Sequence, residues 1–167
     1  MEIATPRLRL RSAQAGDLDA MHAILSDPVA MRYWSSLPHV DIAETRVWLD
    51  DMIAAPPETS CDFIVERDGV AIGKAGCWRA PEVGYILHPD HWGRGLAREA
   101  MAAAIPVVFA RLDLPELIAE VDPRNTASLN LLARLGFVET GRAAHTWKIG
   151  DEWSDSVYLA LSRPAAP

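Results

Sequence analysis

Between Glu82 and Ala100 a β-branched and aromatic run, Val83 to Leu87, breaks at Pro89, passes through Gly93-Arg94-Gly95 and becomes an alanine-rich helical pattern. This strand, glycine turn and helix constrain the rest of the chain more than any other stretch. Glycines let a backbone approach a ligand closely, and the first amides of a helix have no internal acceptor, so the two together form an anion site. A dinucleotide fingerprint would place a small residue where Arg98 stands, within a parallel βαβ series, and no Gly-Lys-Ser/Thr follows as a Walker-type loop requires. The amides of Gly93 to Arg98, with Arg94 and Arg98 on hand, fit a pyrophosphate at the helix N-terminus.

The strand before the turn ends an antiparallel series. Cys61 to Glu66 and Val70 to Cys77 flank Arg67-Asp68-Gly69, and Asp-Gly tolerates the positive φ of a type I′ turn. A two-residue turn there sets position 61 opposite 76, which puts Cys77 on the other side of the sheet from Cys61 and argues against a bridge. Upstream, Arg7-Leu-Arg-Leu-Arg11 alternates as a half-buried strand does. Leu18, Met21, Ile24 and Leu25 fall at helical spacing after Asp17, and Asp27-Pro28 ends that helix. A short helical piece is expected over Val29 to Tyr33. Asp41 with Glu44 opens a further helix, whose stripe of Trp48, Leu49, Met52 and Ile53 stops at Pro56-Pro57.

Downstream, the helix from Gly95 to Leu112 contains Pro106, and Leu117 to Val121 reads as a central strand. Asn125 starts another helix closing at Leu135-Gly136, Phe137 to Lys148 and Glu152 to Leu161 form a last hairpin, and residues 163–167 form a frayed tail. The order β-αα-βββ-α-β-α-ββ describes an α/β mixed sheet with helices on both faces. At 167 residues, half of them apolar, the chain holds one domain spanning 1–167. A net charge of -7 argues against nucleic acid or an anionic membrane as partner and leans toward cationic ones. No apolar run spans a bilayer, and Glu2, Arg7, Arg9 and Arg11 interrupt the first residues, so a cytoplasmic location is expected. Two cysteines supply neither a disulfide framework nor a cysteine zinc site.

Several of these stretches resemble the GCN5-related N-acetyltransferases. Trp92-Gly-Arg-Gly-Leu-Ala97 is similar to their acetyl-coenzyme A loop, with Trp92 in the place of Gln or Arg. Thr5-Pro-Arg-Leu-Arg-Leu-Arg11, the Asp27-Pro-x-x-Met-x-x-Trp34 segment, Asn125-Thr-Ala-Ser128 with Leu135-Gly-Phe137, and Gly150-Asp-Glu-Trp-Ser-Asp155 to Tyr158 resemble, in order, the ribosomal-protein N-acetyltransferase-like (RimJ/RimL) branch. The resemblance implies acetyl transfer from acetyl-CoA to a primary amine, of a small molecule or a peptide N-terminus, by direct attack in a ternary complex without metal, in a monomer or homodimer. The different-class alternative is a catalytically silent acyl-CoA-binding sensor or partner domain.

The resemblance also implies site roles. Ile86, Leu87 and His88 would pair with the pantetheine arm, and Trp92, Gly93, Arg94, Gly95, Leu96, Ala97 and Arg98 would hold the pyrophosphate. Asn125 would contact the pantetheine, its plain role being a helix cap. An alkyl ammonium of pKa about 10 is protonated roughly a thousandfold at neutral pH, a cost of about 4 kcal/mol unless a base takes the proton. Glu82 matches the family position for that base, with His88 as rival and Asp155 as a third acidic candidate. The family's usual acid, a tyrosine, is replaced by Leu132, which leaves Ser128 or solvent to protonate the thiolate. Trp34, Tyr85 and Asp155 are assigned to the acceptor side.

Overall fold

The computed structural model describes residues 1–165, so the last two residues of the expected tail lie outside it. Its strands are β1 (Glu2–Ala4), β2 (Arg9–Arg11), β3 (Cys61–Arg67), β4 (Val70–Arg79), β5 (Glu82–Leu87), β6 (Glu116–Val121), β7 (Val138–Ile149) and β8 (Glu152–Ser162). Its helices are α1 (Leu18–Leu25), α2 (Ile42–Ala54), α3 (Leu96–Leu112) and α4 (Thr126–Arg134). The strands form one sheet of order β1-β2-β3-β4-β5-β6-β8-β7. The expected element order holds, with one strand added: β1 pairs antiparallel with β2. Residues 29–33 form successive turns rather than a helix, closed by Met31 N donating to Asp27 O and Trp34 N to Met31 O.

Local chemistry explains the element ends. Asp41 accepts from Ala43 N at 2.8 Å while Glu44 reaches back to Asp41 N, so α2 begins on a reciprocal cap. Asp68 and Gly69 take φ of 52° and 80°, the left-handed pair of a type I′ turn between β3 and β4. The register that follows is not the expected one. A bulge between Val65 and Glu66 adds a residue, so Cys61 pairs with Cys77 and the two thiols share a face. Both remain free and buried in the core.

Two apolar layers flank the sheet. On one side Phe63, Val65, Val83 and Leu87 pack against Leu96, Ala100, Met101, Ala104 and Val108 of α3 and Leu132 of α4. On the other, Ile64 and Ile86 pack against Met21, Ile24 and Leu25 of α1, with Trp34 and Trp48 at the margin. Residues of even number on β5 therefore face α1, and Val83, Tyr85 and Leu87 face α3 and α4. Arg11 ties this scaffold together, reaching Asp17 and Glu66 at 2.7 Å each. The tail is anchored where it leaves β8: Arg163 N donates to Pro115 O, and its guanidinium reaches Asp113 and Phe109 O at 2.6 Å.

One seam interrupts the sheet. Among the described residues β5 and β6 are its only parallel neighbours, and a single register pair, Glu82 with Ile118, joins them. Beyond Glu82 the two strands splay, which opens a gap at the centre of the sheet.

Candidate active site

Two cavities meet at this gap. The first, of about 1200 Å³, runs along Tyr85, Ile86 and Leu87, over the glycine turn and between α3 and α4. The second, of about 760 Å³, lies on the α1 and α2 side, walled by Trp34, Trp48, Trp78 and Trp147. Such volumes match or exceed the roughly 300–1000 Å³ of small-molecule sites.

In the first cavity the glycine turn has the geometry that an anion needs. Gly93 and Gly95 take φ of 70° and 71°, left-handed values that keep the first amides of α3 uncovered, and Gly95 is the N-cap of that helix. Trp92, Arg94, Leu96, Ala97 and Arg98 line the same cleft. No carboxylate pairs with Arg94 or Arg98 among the described residues. The Trp92 indole is partly used by the turn itself, its Nε1 donating to Leu87 O at 2.8 Å. The fit to a pyrophosphate-bearing ligand thus rests on a bare-amide cradle with free cations beside it.

Asn125 lines the cleft and caps α4, its Oδ1 accepting from Ser128 N at 3.2 Å. Ser128 lies beside it, and Ser128 O accepts from Tyr85 at 3.5 Å. The alternation of β5 turns Tyr85, assigned to the acceptor side, under α4 and into the first cavity, apart from Glu82 and Asp155, and burial pushes its phenol up to about 12. His88 stands at the end of β5, where its backbone N donates to Ile72 O at 2.9 Å. Its Nδ1 accepts from Asp90 N at 3.3 Å, which caps the turn Pro89–His91, and its ring borders neither cavity. His91 lines the cleft instead, with a buried, unpartnered Nδ1. Burial and the charges of Arg67 and Arg94 lower its pKa, which favours the neutral ring.

Glu82 and Asp155 both line the second cavity with Trp34. Asp155 Oδ1 accepts from His145 N at 2.9 Å and so stabilises a bulge in β7. The Glu82 carboxyl has its pKa raised, first by burial and then by the charge of Glu120, against the opposing pull of Arg79 at 3.9 Å. Glu120 is the residue that the sequence did not single out. It lines both cavities, from the β6 side of the seam, facing Glu82 on the β5 side. Its Oε1 accepts from Trp147 Nε1 at 2.6 Å and from Ser156 Oγ, so one carboxylate oxygen is fixed and the other is left unengaged. Its only sequence-level signal is a lone acid in an apolar strand. At the cavity floor Lys74 donates to Asp62 at 2.7 Å, with its ammonium 5.8 Å from the Trp34 ring centre. The absent tyrosine has a structural counterpart: Leu132 is 1% exposed and forms part of the core.

A sheet split between β5 and β6, a glycine turn opening a helix under the split and a second chamber behind it are the features with which the chain meets its relatives, which are acyltransferases. The profile of the acetyltransferase (GNAT) domain matches residues 7–138, and the chain belongs to that family. It is 33% identical over 147 residues to an uncharacterized N-acetyltransferase, p20, of Bacillus licheniformis, covering 82% of each chain. It is 27% identical over 163 residues to the spermidine N(1)-acetyltransferase of Escherichia coli K12, covering 92% of this chain and 85% of the relative. The fold is shared with RimL, a ribosomal L7/L12 α-N-protein acetyltransferase solved with coenzyme A, at a TM-score of 0.83, 18% identity and coverage of 97% and 98%. These relatives lend no support to a silent binding domain.

Proposed function

We propose that this enzyme transfers acetyl from acetyl-CoA to a primary amine by direct attack in a ternary complex. The observation that carries the reading is the meeting of the two cavities at the β5–β6 seam, with Glu82 and Glu120 on its opposite sides. Acetyl-CoA, bound along β5 and over the glycine turn, supplies the activated acyl group as a thioester. Ile86 and Leu87 present the strand edge to its pantetheine, and the amides of Gly93 to Arg98 meet its pyrophosphate.

The attacking nitrogen must lose a proton, and Glu82 takes it. A carboxylate of ordinary pKa is a weak base for an ammonium; burial and the fixed negative charge of Glu120 both strengthen Glu82. Glu120, lining both cavities, also holds the ammonium electrostatically beside the acyl group. Ser128 Oγ, at the first turn of α4, donates to the departing sulfur. A covalent acyl-cysteine route is disfavoured, since Cys61 and Cys77 border neither cavity and burial pushes the Cys77 thiol up to about 12.

The acceptor is a cationic amine, a polyamine or a peptide N-terminus. The cavity carries Asp51, Glu82, Glu120, Asp122, Glu152 and Asp155 above its floor pair, against Arg32, Arg79 and Arg124, and tryptophan faces favour an ammonium. Glu82→Gln tests the mechanism: thiol release from acetyl-CoA across an amine panel should fall by about 10²-fold or more while CoA affinity stays near wild type. An unchanged pH–rate profile in that variant would remove Glu82 from the mechanism.

A further inference from the structure

A carboxylate sits where the anion site should exclude one. Glu99 lies in the first turn of α3 and lines the cofactor cleft, so a bare Glu99 would oppose the phosphates that the helix N-terminus attracts. It is not bare. Thr5 Oγ1 and Arg7 Nε donate to it at 2.6 Å, Arg7 N at 3.0 Å, and Arg7 Nη2 lies 2.6 Å from Oε2. Glu99 in turn fixes the Arg7 guanidinium, whose Nη1 donates to Arg94 O at 2.8 Å, in the middle of the glycine turn. The same guanidinium stands 3.8 Å from where a side chain at Gly95 would begin, so it lies against the left-handed N-cap.

We propose that Arg7 is a positioning residue for the anion loop, working as a clamp with Glu99: its fork holds the Gly93-Arg94-Gly95 turn open, and its charge cancels the one carboxylate in the helix's first turn. The inference rests on the reading of this cleft as the coenzyme A site. It gives the Thr5-Pro-Arg7 segment before β2 a role that its strand pattern does not suggest. Removing Arg7 does two things at once, freeing the turn and unmasking Glu99, whereas removing the charge of Glu99 does only the first.

The signs of these effects differ, which makes the clamp testable by CoA titration calorimetry on the whole protein. At low salt Arg7→Met should weaken CoA binding by about tenfold. Arg7→Met/Glu99→Gln should bind more tightly than Arg7→Met alone, because the uncovered charge is gone. Raising the salt should narrow the gap between wild type and Arg7→Met, since screening weakens the repulsion; a role confined to packing would change neither the rescue nor the salt response. Arg7→Lys, which keeps the charge, the local fold and loses the fork, should weaken binding several-fold with a wild-type salt slope. Wild-type affinity in Arg7→Lys overturns the positioning of the turn. Wild-type affinity in Arg7→Met, or a double variant no tighter than the single one, overturns the masking of Glu99. Failure of the wild-type chain to bind CoA overturns the reading of the cleft itself.

Discussion

Replacing Lys74 by methionine should destabilise this protein severely, and more at alkaline than at acid pH. The Lys74 and Asp62 side chains are 3% and 6% exposed, joined at 2.7 Å. Asp62 Oδ1 already has no hydrogen-bond partner, so Lys74 is the main compensation for a charge held away from water. Breaking a buried pair from one side costs about 3–5 kcal/mol. For a chain of this length each kcal/mol lowers Tm by about 2–4 °C, so Lys74→Met should lose about 6–20 °C. Burial raises the pKa of Asp62 and Lys74 pulls it back, so without Lys74 it rises further. A folded pKa above the unfolded one means that the native state binds the extra proton, so the deficit shrinks as pH falls through that window and grows as it rises. Scanning calorimetry on Lys74→Met from pH 5 to 8, beside Asp62→Leu/Lys74→Met, checks both parts. The apolar pair should recover most of the loss, since a buried ion pair and its hydrophobic replacement differ little. A Tm loss below about 3 °C, or a double variant as unstable as the single one, would refute the reasoning.

Glu120→Gln removes the charge that raises the Glu82 pKa, so the acid limb of kcat/KM against pH should move to lower pH; a limb that stays put or moves up separates the two carboxylates. Gly73→Ala should both destabilise the fold by about 1–3 kcal/mol and weaken CoA binding, because its Cβ would lie 2.1 Å from Ile86 O and 2.9 Å from Leu87 Cα on the donor strand. Thermal melts and CoA titration that both match wild type would show that β4 and β5 part there without cost.

The parts of this architecture visible in the sequence are those written in local chemistry. Asp41 with Glu44, Asp68-Gly69, Asn125 and Gly95 each mark an element end through bonds made within a few residues, and each stands where its chemistry implies. What the sequence leaves open depends on register or on distant partners. The bulge at Val65 and Glu66 reversed the expected relation of the cysteines, and no local signal announces it. Tyr85 and Glu82 sit three residues apart on one strand, yet alternation sends them to opposite faces. The His88 ring caps the backbone turn that follows it. Glu120 became a site residue only because β6 lies next to β5, a neighbour relation that its own segment does not encode. Arg163 left the frayed tail because Asp113 and Phe109, some fifty residues earlier, receive it.

The seam decides how the two carboxylates are coupled. Glu82 belongs to the five-strand blade and Glu120 to the three-strand blade, and a single rung joins the blades. The spacing of the two carboxylates is therefore a property of the joint rather than of either blade. An acyl donor threading the gap as proposed would act as the missing rungs, and by suturing the blades it would set how strongly Glu120 lifts the basicity of Glu82. On the proposed mechanism, the proton acceptor is then tuned by the molecule that brings the acyl group.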